Sequence, residues 1–370
     1  MASTFGEKLR ISVFGESHGN GIGALIEGLP AGETIDFEQL MRFMERRQGG
    51  RNALSTARKE PDIPEFVSGI FDNHTTGFPV CIRIANTNTR SGDYNNLAMK
   101  PRPSHADFSA YMKWHGAADM RGGGHFSGRL TAPLCAAGGI AKQILERRGI
   151  FAGAHLSSVG TVQDVPFPML PDAAMLAEIA AKDFPVISDE KGAGMQAEIL
   201  AAREASDSVG GSIECAVTGL PAGLGDPMFD GIENRLSRAL FGIPAVKGIE
   251  FGDGFSLSEM RGSQANDPFS SENGKIITKS NRNGGILGGI STGMPIRFRV
   301  AIKPTPSIAQ PQETVSLPQG EHTTIEIKGR HDPCIAQRAV PVVEAVTALV
   351  VLDLILSDSE PNYNNIAKEK

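Results

Sequence analysis

The chain has 370 residues, of which 40% are hydrophobic and 21% are charged, a composition typical of a soluble globular protein. Its formal net charge of −6 argues against a general nucleic-acid binder, because such proteins carry a basic surface. The four cysteines are scattered without a C-x-x-C pair, so we expect reduced core thiols in a cytoplasmic protein that has no signal peptide.

The first predicted strand, residues 9–14, leads into a glycine-rich turn with the sequence GESHGNGIG. Residues 15–19 fit G-x-S-x-G, the nucleophile elbow of serine hydrolases, but an elbow leads into a helix and here a strand-like run follows at 22–26. Ser17 and His18 are adjacent, so on extended backbone they face opposite ways and form no nucleophile–base pair. The sequence argues against a hydrolase and leaves His18 either an incidental turn residue or an acid–base group.

Several features recur in the same order in the two halves of the chain. Both copies of the pentapeptide GLPAG follow a strand-like run and precede an amphipathic helical pattern, at 37–47 and 231–240. Later in each half, a T-G-x-P turn leads into a strand, and an apolar helix follows. The paired segments are 28–32 and 219–223, 76–84 and 292–300, and 131–148 and 339–356. This order favours an internal duplication whose equivalent loops meet at one shared site.

We predict one duplicated catalytic domain over residues 1–356, followed by a polar, disordered tail at 357–370. The parts of the domain are half one at about 1–160, a connecting segment at about 163–208 and half two at about 209–356. The connecting segment opens with a proline-rich turn and continues with helical patterns at 172–183 and 196–205. The most apolar run, 345–356, is too short to span a bilayer and predicts a buried helix, so no membrane contact is expected.

A second glycine-rich loop, residues 121–129, precedes the helix predicted to begin at 131. Its glycines have the Walker A spacing, but Arg129 and Leu130 stand where that motif requires Lys and Ser or Thr, which argues against a Mg-nucleotide site. Two interpretations stay open: a loop whose backbone N–H groups bind an anion, and a tight turn into a buried helix.

Arginine is concentrated around these loops although the protein is acidic. The residues are Arg46, Arg47, Arg51, Arg58, Arg121, Arg129, Arg330 and Arg338. The planar guanidinium suits carboxylate and phosphate oxygens. The residues by themselves therefore predict a site for a small polyanion, served by histidines and an aspartate, and they do not identify a reaction.

Five longer motifs follow one another along the chain. They are GESHGNGIGALIEGLPAG at 15–32, RPSHAD at 102–107, GILGGISTG at 285–293, KPTPS at 303–307 and GRHDPC at 329–334. On these motifs the chain resembles the chorismate synthase family over nearly its whole length. The resemblance implies an α/β (α+β) fold, an internally duplicated β-α-β sandwich, in a homotetramer without a metal.

The resemblance also implies a reaction. Members of that family convert 5-enolpyruvylshikimate 3-phosphate to chorismate by an anti-1,4-elimination of phosphate and a ring hydrogen, the last common step of aromatic amino acid biosynthesis in the shikimate pathway. They require reduced FMN although the reaction has no net redox change. The chain has no Rossmann fingerprint, so we expect a separate flavin reductase, with NADPH as the external reductant. The alternative is a non-catalytic anion- or nucleotide-binding protein on the same fold.

Residue by residue, the resemblance implies three catalytic groups: His18 as an acid near the leaving phosphate, His105 near the flavin ring, and Asp332 near flavin N5. The implied flavin contacts are His125, Phe126, Ser127, Pro244, Ala245, Gly288, Lys303, Pro304, Thr305, Pro306, Ser307 and Arg330. The implied partners of substrate or nucleotide anions are Arg46, Arg47 and Arg129, which would form a charged lid.

Some positions depart from the commoner family pattern. His125, Phe126 and Pro244 stand where many relatives have Arg, Ser and Asn, and Ala53 replaces a basic residue. Backbone contacts to the flavin are the ones that persist under such changes. Because the GRHDPC motif precedes the last apolar helix, we expect Asp332 to lie at the N-terminus of that helix.

Overall fold

The computed structural model describes residues 3–50, 54–55, 60–87, 99–327 and 332–358. The strands are β1 (Thr4–Phe5), β2 (Arg10–Gly15), β3 (Gly21–Glu27), β4 (Glu65–Ser68), β5 (Ile70–Phe71), β6 (His74–Thr75), β7 (Val80–Ala85), β8 (Phe151–Val159), β9 (Val162–Gln163), β10 (Gly211–Thr218), β11 (Ala222–Gly225), β12 (Val246–Phe251), β13 (Phe269–Glu272), β14 (Lys275–Thr278), β15 (Ile286–Leu287), β16 (Ile290–Thr292), β17 (Ile296–Ile302), β18 (Gln312–Ser316) and β19 (Glu321–Ile325). The helices are α1 (Phe37–Glu45), α2 (Asp107–Trp114), α3 (Thr131–Glu146), α4 (Ala173–Ala181), α5 (Asp189–Glu204), α6 (Ile232–Leu240), α7 (Gly262–Ala265) and α8 (Ala336–Ser357).

Two five-stranded antiparallel sheets have the same strand order. The first runs β1-β2-β3-β7-β4 and the second β9-β8-β10-β17-β12. Strands β2, β3, β4 and β7 therefore match β8, β10, β12 and β17 in both position and chain order. Likewise, α1 follows β3 as α6 follows β10, and α3 follows β7 as α8 follows β17. The internal duplication stays a prediction, and this repeated order supports it.

Helices α3 and α8 lie side by side between the two sheets. Helix α3 packs against β3 and β7 of the first sheet, and α8 packs against β8 and β10 of the second. Almost every side chain of both helices is buried. The two axes approach closely at Gly138, where an added Cβ would lie 2.3 Å from the Cβ of Ala345. The result is the sheet–helix–sheet layering that the resemblance implies.

The two central helices begin at the same end of the sandwich. At that end, Arg47 Nε donates to the hydroxyl of Thr131, the first residue of α3, and the Arg47 carbonyl accepts from Arg338 Nε in the first turn of α8. At the opposite end, Asp353 of α8 accepts three consecutive backbone N–H groups just before β2 begins. Two helix dipoles therefore direct their positive ends toward the turn that follows β2.

The connecting segment covers the outer face of the second sheet. Ala216 of β10 faces away from the central helices and packs with Phe167, Leu176 and Ile179 of that segment. This is the alternation that a strand buried on both faces produces, because successive side chains point to opposite sides. The segment thus supplies a second, smaller core outside the sandwich.

A fully buried histidine ties the same segment to the sheet. His155 Nδ1 is 3.1 Å from Asp164 Oδ2, and its Nε2 is 3.0 Å from Glu214 Oε2. Burial alone would lower the pKa of His155, but its hydrogen bonds and charge attraction to the two carboxylates outweigh burial and raise the pKa. The His155 ring therefore bridges the connecting segment and β10, and its two carboxylate partners favour the protonated form.

Two predicted boundaries differ from the structure. Strand β8, assigned to half one, pairs with β10 in the second sheet, so the sheets divide before Phe151 rather than at about 160. Helix α5 begins at Asp189, not at 196, because the Ser188 hydroxyl caps it by accepting the backbone N–H of Lys191. Gly192 weakens the helical pattern there, and it stands where an added Cβ would come within 2.7 Å of a valine side chain.

Helix α8 has 22 residues. Among the helices in the described part of the chain, it is the one whose length and composition would allow it to cross a membrane. However, 83% of its most apolar stretch is buried inside the protein. The helix begins at Ala336, three residues before the predicted start at 339. Arg338 and Pro341 interrupt the apolar pattern, which explains why the predicted apolar run is shorter than the helix. The prediction of a buried helix is confirmed.

Candidate active site

The glycine-rich loop of the first half lies against both predicted catalytic histidines. Gly122 and Gly123 have φ angles of +62° and +90°, which favour glycine. A Cβ on Gly122 would lie 2.1 Å from His18 Cε1 and Nδ1, and a Cβ on Gly123 would lie 3.2 Å from His105 Nε2. The loop therefore brings His18 and His105 to one place although they are far apart in the chain.

His18 lies in the turn between β2 and β3. The backbone N–H of the preceding Ser17 donates to the Gly124 carbonyl at 3.1 Å, which joins this turn to the glycine loop. His18 is 8% exposed, and Ser17 is fully buried. Because a strand and not a helix follows, the turn lacks the form of a nucleophile elbow.

His105 belongs to a compact group of charged side chains at the start of α2. Its Nδ1 is 2.7 Å from Asp107 Oδ1, and Arg102 donates to both Asp107 oxygens at 2.7 Å. Burial alone would raise the pKa of Asp107, but the hydrogen bonds from Arg102 and His105 outweigh burial and hold that pKa well below its usual range. A cavity of about 240 Å³, lined also by Tyr111 and Leu317, lies beside this group.

The KPTPS segment of the second half contacts the turn that carries His105. Lys303 Nζ donates to the Ser104 carbonyl at 2.6 Å, and Arg102 Nη1 donates to Ser307 Oγ at 3.4 Å. Burial lowers the pKa of Lys303, and a neighbouring lysine adds to this effect. Residues from both halves of the chain thus meet at His105.

Arg47 and Arg129 share one buried carboxylate. Asp62, which is 1% exposed, accepts a hydrogen bond from each guanidinium, one on each oxygen. Arg129 also donates to Asn86 Oδ1 at 3.0 Å. Burial lowers the pKa of Arg47 even though Asp62 opposes that shift. Both arginine side chains are about 95% buried in an internal ion cluster, and their contact with a substrate anion stays a prediction.

Arg46 has a different carboxylate partner. Its two terminal nitrogens donate to the two oxygens of Glu344 on α8, both at 2.7 Å. Lys142 lies 3.5 Å from the same carboxylate, which is 1% exposed. Arg46 is therefore held between α1 and α8, and its contact with a substrate anion stays a prediction.

Asp332 precedes α8 and does not cap it. The helix begins at Ala336 with Ile335 as its N-cap residue, so Asp332 lies four residues before the first helical residue. The Asp332 carboxylate instead accepts Arg338 Nη1 at 2.5 Å. Arg338 also donates to the Arg47 carbonyl, which connects Asp332 to the arginine cluster.

Three predicted flavin contacts lie in the second half of the glycine loop, where their side chains have partners within the protein. His125 Nδ1 is 2.9 Å from a β2 carbonyl, and its Nε2 is 2.8 Å from Ser3 Oγ. The Phe126 ring packs against Trp114 at a centroid distance of 5.9 Å. Ser127 Oγ accepts a backbone N–H of the next turn at 3.3 Å. Their backbone groups are the part of these residues best suited to a ligand.

Gly288 is not brought to this site within one chain. Its neighbour Gly289 accepts a hydrogen bond from the first residue of α6, and Arg235 of α6 lies 3.8 Å from Asp353 on α8. Along the helix, Asp353 is about 25 Å from the start of α8, at a rise of about 1.5 Å per residue. Gly288 therefore lies at the end of the sandwich opposite the two histidines.

The remaining predicted contacts fall into two groups. Ala245, with φ of +74°, accepts the backbone N–H of Lys303 at 3.0 Å, so it and the adjacent Pro244 lie beside the KPTPS segment with Pro304 and Pro306. Arg330, the last implied flavin contact, lies outside the described part of the chain. The same is true of Arg51, Ala53, Arg58 and the tail from 359 onward.

Unsatisfied hydroxyls test whether a reduced flavin fits here. Ser17 Oγ and Thr305 Oγ1 are buried and make no hydrogen bond to any residue that the structure describes. Each unpaired buried hydroxyl lowers the stability of the fold by about 1–3 kcal/mol unless a ligand or a water forms a hydrogen bond with it. The backbone of Gly122 and Gly123 leaves no space for side chains, and Lys303 supplies a positive charge. A ligand with polar edges could pair with the two hydroxyls, and an anionic group on the same ligand could pair with Lys303. Reduced FMN has both features, so it fits these residues.

Comparison with known proteins identifies the family. A family model described as chorismate synthase matches residues 9–356. The chain belongs to the chorismate synthase family. Curated proteins named chorismate synthase are similar to it over nearly their whole length. They include proteins from Lancefieldella parvula (45% identical, 99% of this chain and 100% of the relative), Methanocella arvoryzae (48%, 96% and 94%) and Thermococcus kodakarensis (47%, 95% and 97%).

A solved structure extends the match to the fold. A crystal structure of chorismate synthase has a TM-score of 0.74 and 28% identity to this chain, and the match covers 95% of this chain and 93% of that one. These comparisons confirm the predicted chorismate synthase family, its mixed α/β fold and its activity as a phosphate-eliminating lyase.

Sequence reasoning missed the carboxylates that hold the cations in place. Asp107 is part of the RPSHAD motif, and its spacing from His105 was a usable signal. Asp62 and Glu344 had no such signal, because nothing in their local sequence relates them to Arg47 or Arg46. Asp62 also has φ of +50°, an uncommon conformation for an aspartate, which only the structure reveals.

Proposed function

We propose that this chain eliminates phosphate and a ring hydrogen from 5-enolpyruvylshikimate 3-phosphate to give chorismate, with reduced FMN bound beside the two histidines. One observation carries the proposal: Gly122 and Gly123 hold His18 and His105 against a single loop. Arg47 links the same loop to the starts of α3 and α8, because it donates to the Gly128 carbonyl and to Thr131 and its own carbonyl accepts from Arg338. The substrate is a polyanion, and an electropositive, largely dry site of this kind stabilises it.

His18 acts as the acid for the departing phosphate. Its imidazole is 8% exposed and lies against the glycine loop that precedes α3, and in such a buried setting a protonated imidazole attracts a phosphate dianion strongly. A proton donated from the ring offsets the negative charge that develops on the bridging oxygen as its C–O bond breaks, so phosphate leaves as a dianion. Ser17, whose hydroxyl is buried beside Gly122, offers a hydrogen bond in the same place.

Asp332 assists the removal of the ring proton, and His105 controls the protonation of the bound cofactor. Reduced FMN, when bound, supplies electron density that assists the loss of phosphate. Arg338 keeps the Asp332 carboxylate in position through its 2.5 Å contact. Lys303, Ser307 and the backbone of residues 125–127 would hold the cofactor, while Arg47 and Arg129 bind substrate anions.

Turnover under anaerobic conditions tests the function. Purified protein is given photoreduced FMN and 5-enolpyruvylshikimate 3-phosphate. Phosphate and chorismate are then measured, and they should form in equal amounts. His18→Gln and His105→Gln should each lower kcat by about 10²-fold or more. His322→Gln, on an exposed strand, serves as the control and should retain full activity. Tight binding of FMN and substrate without turnover would favour the alternative, a non-catalytic anion-binding protein.

We propose further that the chain works in the cytoplasm as a homotetramer, with a separate flavin reductase drawing on NADPH. A flavin contact at Gly288 has to come from a second copy, because this residue lies at the far end of α8. Mixing inactive Gly288→Glu protein with inactive His18→Gln protein tests this arrangement. Turnover regained in mixed oligomers supports a site shared between copies, and persistent inactivity argues against it. Turnover in air with only NADPH and FMN would remove the need for a reductase.

A further inference from the structure

The charged group around His105 gives the two nitrogens of its ring different surroundings. Nδ1 is 2.7 Å from Asp107 Oδ1, and both groups are mostly buried, with 14% and 11% of their side chains exposed. Nε2 faces the glycine loop, where a Cβ on Gly123 would lie 3.2 Å away. Nε2 makes no hydrogen bond to any residue within the described ranges. Nδ1 is therefore the anchored nitrogen, and Nε2 is the nitrogen that a ligand can reach.

Arg102 keeps the Asp107 carboxylate ionised and fixed. It donates through Nε and Nη2 to the two carboxylate oxygens at 2.7 Å, the fork geometry in which guanidinium–carboxylate pairs are strongest. The backbone N–H of Arg102 adds a third bond to Asp107 at 3.0 Å. Arg102 Nη2 is also 3.0 Å from His105 Nδ1, but it donates to Asp107 Oδ1 at the shorter distance of 2.7 Å. An ionised carboxylate only accepts hydrogen bonds, so the 2.7 Å contact between it and His105 puts the proton on Nδ1.

The backbone on which His105 stands is also fixed. Ser104 has φ of +59°, and Lys303 from the second half donates to its carbonyl at 2.6 Å. Contacts from both halves therefore hold the backbone of this turn, and the 2.7 Å contact with Asp107 orients the ring. Such orientation of a histidine by a buried carboxylate is a recurrent way to select one tautomer.

We propose that Asp107 is a positioning residue for the elimination: it holds the proton of His105 on Nδ1 and presents Nε2 to the bound ligands. This inference rests on the proposed function, since it takes His105 to be a group that touches them. Asp107 itself acts only through His105. Arg102 in turn acts through Asp107.

Spectroscopy of the ligand-free protein tests the geometry independently of any activity. Protein with ¹⁵N-labelled histidine is examined by long-range ¹H–¹⁵N correlation above pH 8, with His105→Gln used to assign the signals. We expect His105 in the Nδ1–H form in the unmodified protein and a shift toward the Nε2–H form in Asp107→Asn, whose amide can donate to Nδ1. A predominantly Nε2–H ring in the unmodified protein overturns the proposal. This result is valid even if the protein shows no turnover at all.

Kinetics test whether the geometry matters for the reaction. Asp107→Asn should lower kcat by about 10²-fold or more while the substrate KM changes by less than about threefold, because substrate-binding groups are untouched. Asp107→Glu, which keeps the charge, should recover part of the loss. Asp253→Asn removes a similar Asp–Arg pair elsewhere in the protein and should leave kcat unchanged. Near-normal kcat in Asp107→Asn overturns the proposal.

A double variant separates positioning from simple charge balance. Asp107→Asn leaves Arg102 buried without its carboxylate, which by itself can damage the fold. Arg102→Gln combined with Asp107→Asn removes both charges and should restore thermal stability. If Asp107 acts through His105, the restored protein stays slow and keeps the shifted tautomer. Recovery of kcat together with stability would mean that Asp107 serves only to neutralise Arg102.

Discussion

Replacing Gly122 with alanine tests the contact between the glycine loop and His18, the loop that also lies against His105. The new Cβ would lie 2.1 Å from the His18 ring, whereas ordinary contact begins at 3.4 Å, so the imidazole must move by about 1.3 Å. Misplacement of a reacting group by about 1 Å costs about 10²-fold in rate. The positive φ of Gly122 adds about 1–2 kcal/mol of strain to the folded state. We therefore expect Gly122→Ala to fold with slightly reduced stability and to lose about 10²-fold in kcat.

The same loop contains a matched control. An added Cβ on Gly128 would meet no atom within 4 Å, and its φ is not in the left-handed region, so Gly128→Ala should retain stability and kcat. Both variants are measured for thermal unfolding and for anaerobic turnover with photoreduced FMN. The reasoning is refuted if Gly122→Ala turns over at nearly the normal rate, or if both alanine variants lose activity equally.

Three further changes probe other charges. Asp332→Asn should leave FMN and substrate binding intact but lower turnover by about 10²-fold or more, since the amide accepts no proton; the exposed Asp189→Asn is its control, and both are assayed by phosphate release. Asp62→Asn leaves two buried arginines short of a carboxylate and should lower the free energy of unfolding by about 3–5 kcal/mol, measured with urea. His155 has a raised pKa in the folded state, so its stabilising charge is fully present below the unfolded pKa of about 6.5 and is lost as pH rises through the folded value. The free energy of unfolding, measured with urea, should therefore decline as pH rises above about 6.5, and His155→Gln should abolish this decline.

Each of these expectations has a contradicting result. Normal turnover in Asp332→Asn would leave His18 and His105 to carry the proton transfers. Unchanged stability in Asp62→Asn would mean that the two arginines find other partners. An alkaline decline of the same size in His155→Gln would assign the pH dependence to other groups.

The sequence by itself determined the family, the longer helices, some strands of the two large sheets and the residues of the motifs. Glycine-rich turns, strand alternation and apolar helices are local signals, so they are readable wherever local preference and tertiary packing agree. Motifs such as RPSHAD identified His105 because the functional residues of a family lie in short segments of characteristic sequence. Where local preference was weak, as around Gly192 and Pro341, the predicted helix began late.

Only the tertiary structure decided how the charges are paired and which ends of the elements meet. Arg46 and Glu344 are nearly 300 positions apart in the chain, and no local pattern relates them. The parallel direction of α3 and α8 follows from packing between two sheets, and it places the beginnings of both helices at Arg47 while Gly288 lies at the opposite end. Ion pairing and helix packing depend on distances in space, and these distances exist only after the whole chain has folded.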